Sequence, residues 1–96
     1  MFVNIVKLPE IVEGKEEEFR QWFAESNKEF AKFPGFIRRD LLQPQNGGNY
    51  FPILEHESKE TFLKMHTSPV QAAFKARVSS LLKGEPSPSF FEIVNI

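Results

Sequence analysis

Few residues of this 96-residue chain are suited to chemistry. His66 stands in Lys64-Met65-His66-Thr67-Ser68-Pro69, just ahead of an apolar helical run. Its plainer reading is structural: an imidazole at the end of a short helix favours the carbonyl terminus, and Thr-Ser-Pro marks a break and a restart. Its functional reading is a neutral base near pH 7, suited to taking a proton from a weakly acidic group. Asn4 is the polar side chain in the otherwise apolar run Phe2-Val3-Asn4-Ile5-Val6. Buried amides need hydrogen-bond partners, so Asn4 either satisfies the interior of the sheet or reaches a ligand. Asn4 as an orienting group and His66 as a proton acceptor form the candidate catalytic pair.

Metal chemistry has less to stand on. His56 lies between Glu55 and Glu57, but successive strand residues point to alternate faces, so the three do not converge on an ion and no metal site is expected. His56 reads instead as an edge-facing residue whose carboxylate neighbours raise its proton affinity. With no cysteine, disulfides, thiolate catalysis and thiolate metal sites are excluded, in keeping with a reducing compartment. Twelve basic and 13 acidic residues leave a formal charge of −1 and no basic stripe for nucleic acid. No apolar run approaches the roughly 20 residues of a membrane span. The opening residues lack the pattern of a secretory signal, so a soluble, cytoplasmic protein is expected. Eleven phenylalanines against one tyrosine and one tryptophan provide large rings with few polar handles.

The elements that must position these residues follow from pattern. Residues 2–8 read as a strand ended by Pro9. After Gly14, Phe19, Trp22, Phe23, Phe30 and Phe33 recur with the spacing of one helical face, with Glu16, Glu17 and Glu18 at the favourable end of the dipole and Pro34-Gly35 as terminator. Residues 36–42 and 50–57 are strands joined by the turn-forming residues 43–49. Ser58 is an N-cap for a short helix carrying Phe62 and Met65. Ser68-Pro69 starts another helix, with the stripe Val70, Ala73, Phe74, Val78, Leu81 and Leu82, closed by Gly84 and Pro86. Residues 89–96 read as the last strand.

The order βαββαβ, with the second helical element broken near residues 66–68, predicts a single ferredoxin-like α+β domain over residues 1–96. Four antiparallel strands would carry helices on one face. If the other face met water, the strands should alternate apolar and polar residues. They do not: Phe2, Val6 and Leu8 oppose Val3 and Ile5, Phe51 and Ile53 oppose Leu54, and Phe90, Val94 and Ile96 oppose Phe91 and Ile93. The open apolar face is therefore expected to pack on a second copy, giving a homodimer that buries on the order of 2,000 Å² or more. Arg38 and Arg39 offer one charge to each face, one to pair across the dimer and the other solvated.

Taken together, VEGKEEEFRQWF, the FPGF link into the second strand and HESKETFLKMHTSPVQAAFKARV resemble, over nearly the whole length, the dimeric α+β barrel proteins of the antibiotic biosynthesis monooxygenase type. That resemblance implies a small monooxygenase without metal or organic cofactor, acting on an aromatic or quinol in a pocket. Trp22, Phe23, Met65 and Phe74 are its candidate substrate-binding residues, although Trp22 also reads as plain core. The family's haem-degrading branch uses an Asn on strand one, a Trp on the short helix and a His on the next. These places fall near Lys7, Met65 and Phe74; phenylalanine cannot ligate iron, so the alternative implied role, haem binding and degradation, needs a divergent ligand set in which His66 or His56 substitutes. Asn4 is three residues from Lys7, an odd shift that puts it on the opposite face. A third reading, from another class, is a non-catalytic dimeric module that binds a small apolar molecule or merely assembles with a partner.

Overall fold

The β-branched and aromatic run at the N-terminus forms β1 (Phe2–Lys7), followed by α1 (Glu16–Phe30), β2 (Phe36–Leu42), β3 (Phe51–His56), α2 (Lys59–His66), α3 (Pro69–Ser79) and β4 (Ser87–Glu92) in a computed structural model that describes residues Met1–Ile96. The strands form one sheet in the order β2-β3-β1-β4, every pair antiparallel. This is the ferredoxin-like α+β arrangement expected from the sequence.

Local chemistry explains the helix boundaries. The Ser58 hydroxyl accepts from Thr61 N while the Thr61 side chain accepts from Ser58 N, a capping box that starts α2. The Ser68 hydroxyl accepts from Gln71 N and Pro69 occupies the first turn of α3. At the end of the α1 connection, Gly35 has φ +87°, and a Cβ there would collide with the Thr61 side chain. Only glycine fits both the conformation and the approach.

Two expectations need correction. The last strand starts at Ser87 and stops at Glu92, because β1 begins at Phe2 and the pair Phe2↔Glu92 exhausts its partner. Pro88 is tolerated because β4 is an edge strand. Ala73 is exposed rather than part of the buried stripe: Val78 is the fully buried residue of α3, Val70 and Phe74 are half-buried, and Leu81 and Leu82 are buried beyond the helix end.

The register sorts side chains to the two faces. Phe2, Asn4 and Val6 of β1, with Pro52, Leu54 and His56 of β3, point towards the helices. Beneath the helices lie two apolar clusters. One gathers Leu8, Phe19, Trp22, Phe23, Tyr50, Val78, Leu81 and Leu82; the other gathers Phe2, Phe30, Leu54, Phe62 and Met65, and Phe74 packs against both. Val3, Ile5, Phe51, Ile53 and Phe91 lie on the opposite, open face.

Candidate functional site

Between the sheet and the helices the two clusters leave a cavity of about 260 Å³. Its apolar wall includes Trp22, Phe30, Leu54, Phe62, Met65 and Val78, and its polar residues include Asn4, Arg39, His66, Gln71, Lys75 and Glu85. The volume is at the small end for a ligand pocket and suits a molecule of one or two rings. A wider hollow on α1, lined by Glu16, Glu17, Arg20 and Gln21, has no apolar wall. Beside it Tyr50 donates to the Glu16 carboxylate and accepts from Arg20 Nη2 at 2.7 Å. The bond to Glu16 raises the Tyr50 pKa and keeps the phenol protonated.

Asn4 is held by the centre of β1, opposite Leu54 on one side and Phe90 on the other. It is buried, and its Oδ1 has no hydrogen-bond partner. A lone buried acceptor of this kind costs free energy unless something donates to it. Lys7 belongs to the opposite parity of β1, so the β1 amide beside the cavity is Asn4.

His66 closes α2 at the rim of the cavity, its ring stacked on Phe62 with centroids 5.0 Å apart and planes at 18°. Desolvation, and then the positive charge of Lys75, hold its pKa below the ordinary histidine value. The imidazole is therefore neutral at pH 7, the form that can accept a proton.

The four residues expected to bind substrate divide into two pairs. Trp22 and Met65 line the cavity. The indole is fixed by its Nε1–H, which donates to the Phe74 carbonyl at 2.9 Å. Phe23 and Phe74 sit behind that wall, where Phe74 meets Phe30 edge-on at 5.6 Å.

His56 is not the edge-facing residue expected from its neighbours. It is 0% exposed, and its ring stands edge-on to Phe36 and Phe62. Desolvation outweighs the attraction of Glu57 and lowers its pKa instead of raising it. Its Nδ1 lies 3.0 Å from Thr61 Oγ1, whose own proton goes to the Ser58 carbonyl. Nδ1–H therefore donates, and Nε2 is left as a buried acceptor without a partner.

Arg39 is the residue that sequence reasoning misplaced. The residue is half-buried instead of left out in solvent, and its guanidinium lies over Phe23 at 4.2 Å, Phe30 at 5.0 Å and Trp22 at 5.4 Å. Nη1 donates to Ser26 Oγ at 2.7 Å and Asn27 Oδ1 at 2.8 Å. Burial pushes its pKa down to about 9, which leaves it charged at neutral pH. The available signal was parity, since consecutive strand residues must face opposite sides and one arginine had to enter the helical layer. Its neighbour Arg38 turns to the open face and pairs within the chain, with Glu55 at 3.0 Å and Asp40 at 2.6 Å.

No helix is long and apolar enough to cross a membrane, and no group of three or more His, Cys, Asp or Glu side chains is placed to hold a metal ion.

Comparison with solved structures gives the same fold at low identity. SnoaB, a cofactor-independent oxygenase from Streptomyces nogalater, superposes with a TM-score of 0.78 at 24% identity, covering 99% of this chain and 92% of its own. A Nitrosomonas europaea protein that carries the antibiotic biosynthesis monooxygenase description gives 0.84 at 16%, covering 99% and 100%. Rv0793 of Mycobacterium tuberculosis gives 0.83 at 14%, covering 100% and 98%. Among curated proteins none matches the sequence. The antibiotic biosynthesis monooxygenase family model, however, matches residues 1–85, and the chain belongs to that family.

Proposed function

We propose that the protein is a monooxygenase that needs no metal or organic cofactor and acts on a phenol or quinol of one or two rings held in the cavity. The observation that carries this reading is an aromatic-walled cavity with a neutral imidazole at its rim and an unpartnered amide beside it. His66 takes the phenolic proton, Asn4 orients the substrate, and Trp22 and Met65 hold the ring away from water. The substrate is the electron donor: one oxygen atom of O₂ enters it, and the other leaves as water with two substrate hydrogens. The likeness to SnoaB supports the oxygen chemistry only through the shared fold.

The working unit in this proposal is a homodimer joined through the open sheet face. Phe91 and Ile93 are 49% and 46% exposed there, beside Val3, Ile5, Phe51 and Ile53. So large an apolar patch on a lone sheet favours association.

Haem degradation is the weaker reading. At the place of the iron ligand stands Phe74, behind the cavity wall, and the one histidine on the wall stacks flat on Phe62. A hemin titration of the purified protein is expected to leave the visible spectrum that of free hemin. A stoichiometric Soret band that bleaches with reductant in air would reverse that ranking. Oxygen uptake with a panel of quinols and naphthols tests the oxygenase directly. His66→Ala and Asn4→Ala are expected to lower turnover of any substrate found by about 10²-fold or more and by less, respectively. Unchanged turnover in both variants would remove their assigned roles.

A further inference from the structure

The chain has four arginines, and three of them have a carboxylate. Arg20 meets Glu16 at 3.5 Å, Arg38 meets Glu55 and Asp40, and Arg77 meets Glu25 at 2.6 Å. Arg39 has none. Its protein partners are a hydroxyl and an amide oxygen, both neutral and both served by Nη1. A guanidinium carries five N–H donors, so the Nε–Nη2 edge is left over. Neither nitrogen bonds to the chain, yet neither is among the polar atoms sealed in the interior without a partner, and the residue lines the cavity. Glu85, the one carboxylate on the cavity wall, makes no ion pair with Arg39, and Lys75 adds a second positive charge to that wall.

A half-buried cation without a counter-ion carries a desolvation cost. The surrounding rings recover part of that cost through cation–π contact. They do nothing for the unused donors, whose planar fork matches the two oxygens of a carboxylate. We infer that Arg39 is an anion anchor, and that the ligand of this cavity is an aromatic carboxylate whose ring lies against Trp22 and Met65 while its carboxylate takes the Nε–Nη2 edge. This rests on the reading of the cavity as an aromatic site and narrows it: the substrate carries an acidic group apart from the hydroxyl that loses its proton.

Binding tests this without requiring turnover. The probes are 2-naphthoate and its uncharged counterpart 2-naphthamide, measured by calorimetry and by quenching of the single tryptophan, Trp22, which lines the cavity. The wild-type protein is expected to bind the carboxylate about tenfold or more tightly than the amide, the worth of a charge-assisted hydrogen-bond pair. Arg39→Gln should abolish that preference while amide affinity stays within about twofold, and Lys75→Gln, which alters only a charge on the wall, should retain most of it. If Arg39→Gln does not fold, the Arg39 Nε–H proton resonance of the wild type gives the answer: it should move downfield with naphthoate and stay in place with naphthamide. Equal affinity for the two probes, a preference that survives Arg39→Gln, or an unmoved Nε–H resonance would overturn the anchor while leaving an aromatic cavity intact. Failure of both probes to bind at millimolar concentration would overturn the aromatic cavity, and the anchor with it.

Discussion

Arg38 and Arg39 follow one another on β2, and the sheet gives them opposite surroundings. Arg38 goes to the open face, where Asp40 and Glu55 neutralise it among apolar side chains. Arg39 goes beneath the helices, where rings and neutral acceptors surround it and no carboxylate meets it. The contrast holds for the two faces as wholes. On the helical side, Asn4 and His56 each bury an acceptor with no partner, and Arg39 keeps unused donors. On the open side, Arg38, Asp40 and Glu55 each have a partner of opposite charge and the remainder is largely hydrocarbon. Unmatched polarity around a cavity suits a small molecule with complementary groups; matched charge amid apolar area suits a flat macromolecular contact.

The same residue type should therefore behave differently on the two faces. Phe62 is 2% exposed and packs on Phe2 at 5.0 Å and Phe90 at 5.8 Å. Phe62→Ala should lower the unfolding free energy by about 3–5 kcal/mol in urea denaturation, through lost transfer free energy and a residual cavity. A loss below about 1 kcal/mol would mean that the helical side is not a packed core, and the comparison would fail. Next in size, Gly35→Ala forces a side chain into a left-handed conformation and into Thr61, which caps α2 and holds His56. A destabilisation of about 2 kcal/mol is expected from backbone strain alone, read as a lowered Tm by calorimetry.

On the open face, the expected change is in association rather than in fold. Phe91→Lys places a charge at a 49% exposed position on an edge strand, so the far-ultraviolet circular dichroism spectrum should be unchanged. Light scattering should show the proposed dimer for the wild type and monomer for Phe91→Lys at micromolar concentration. A dimer that survives Phe91→Lys would move the interface elsewhere and leave the open face without a partner.

How much of this the sequence revealed depended on whether the deciding interaction was local. Ser58 and Ser68 identified both helix starts because a cap is made by side chains within three residues of the backbone it serves. Parity separated Phe2 from Val3 and Leu54 from Phe51 within their strands, since the pleat fixes it, and the register then set which of them share a face. The end of β4 was not readable in residues 89–96, because it is set by where β1 begins. Parity also required one arginine under the helices, but it carries no information about whether a carboxylate waits there. His56 was misread for a related reason. Glu55 and Glu57 adjoin it in sequence but lie on the opposite parity, and its enclosure by Phe36, Phe62 and Thr61 comes from two other elements, β2 and α2.

The smallest expected effect follows from that enclosure. Burial lowers the folded-state pKa of His56 below its ordinary value near 6.5. Above that pH the imidazole is neutral in both states and adds nothing to the slope of stability against pH. As the pH falls through about 6.5, the unfolded chain binds a proton that the folded chain resists, so stability is lost until the folded pKa is reached. Urea midpoints should therefore decline as the pH falls below about 6.5, and His56→Gln, whatever its stability at pH 7, should flatten that decline. The His66 pKa is lowered too, but its residue is exposed at the end of α2, so His66→Gln should flatten the curve less. An equal or larger flattening from His66→Gln would show that the rim of the cavity excludes water as well as the interior does, and would place both histidines on the same side of the comparison.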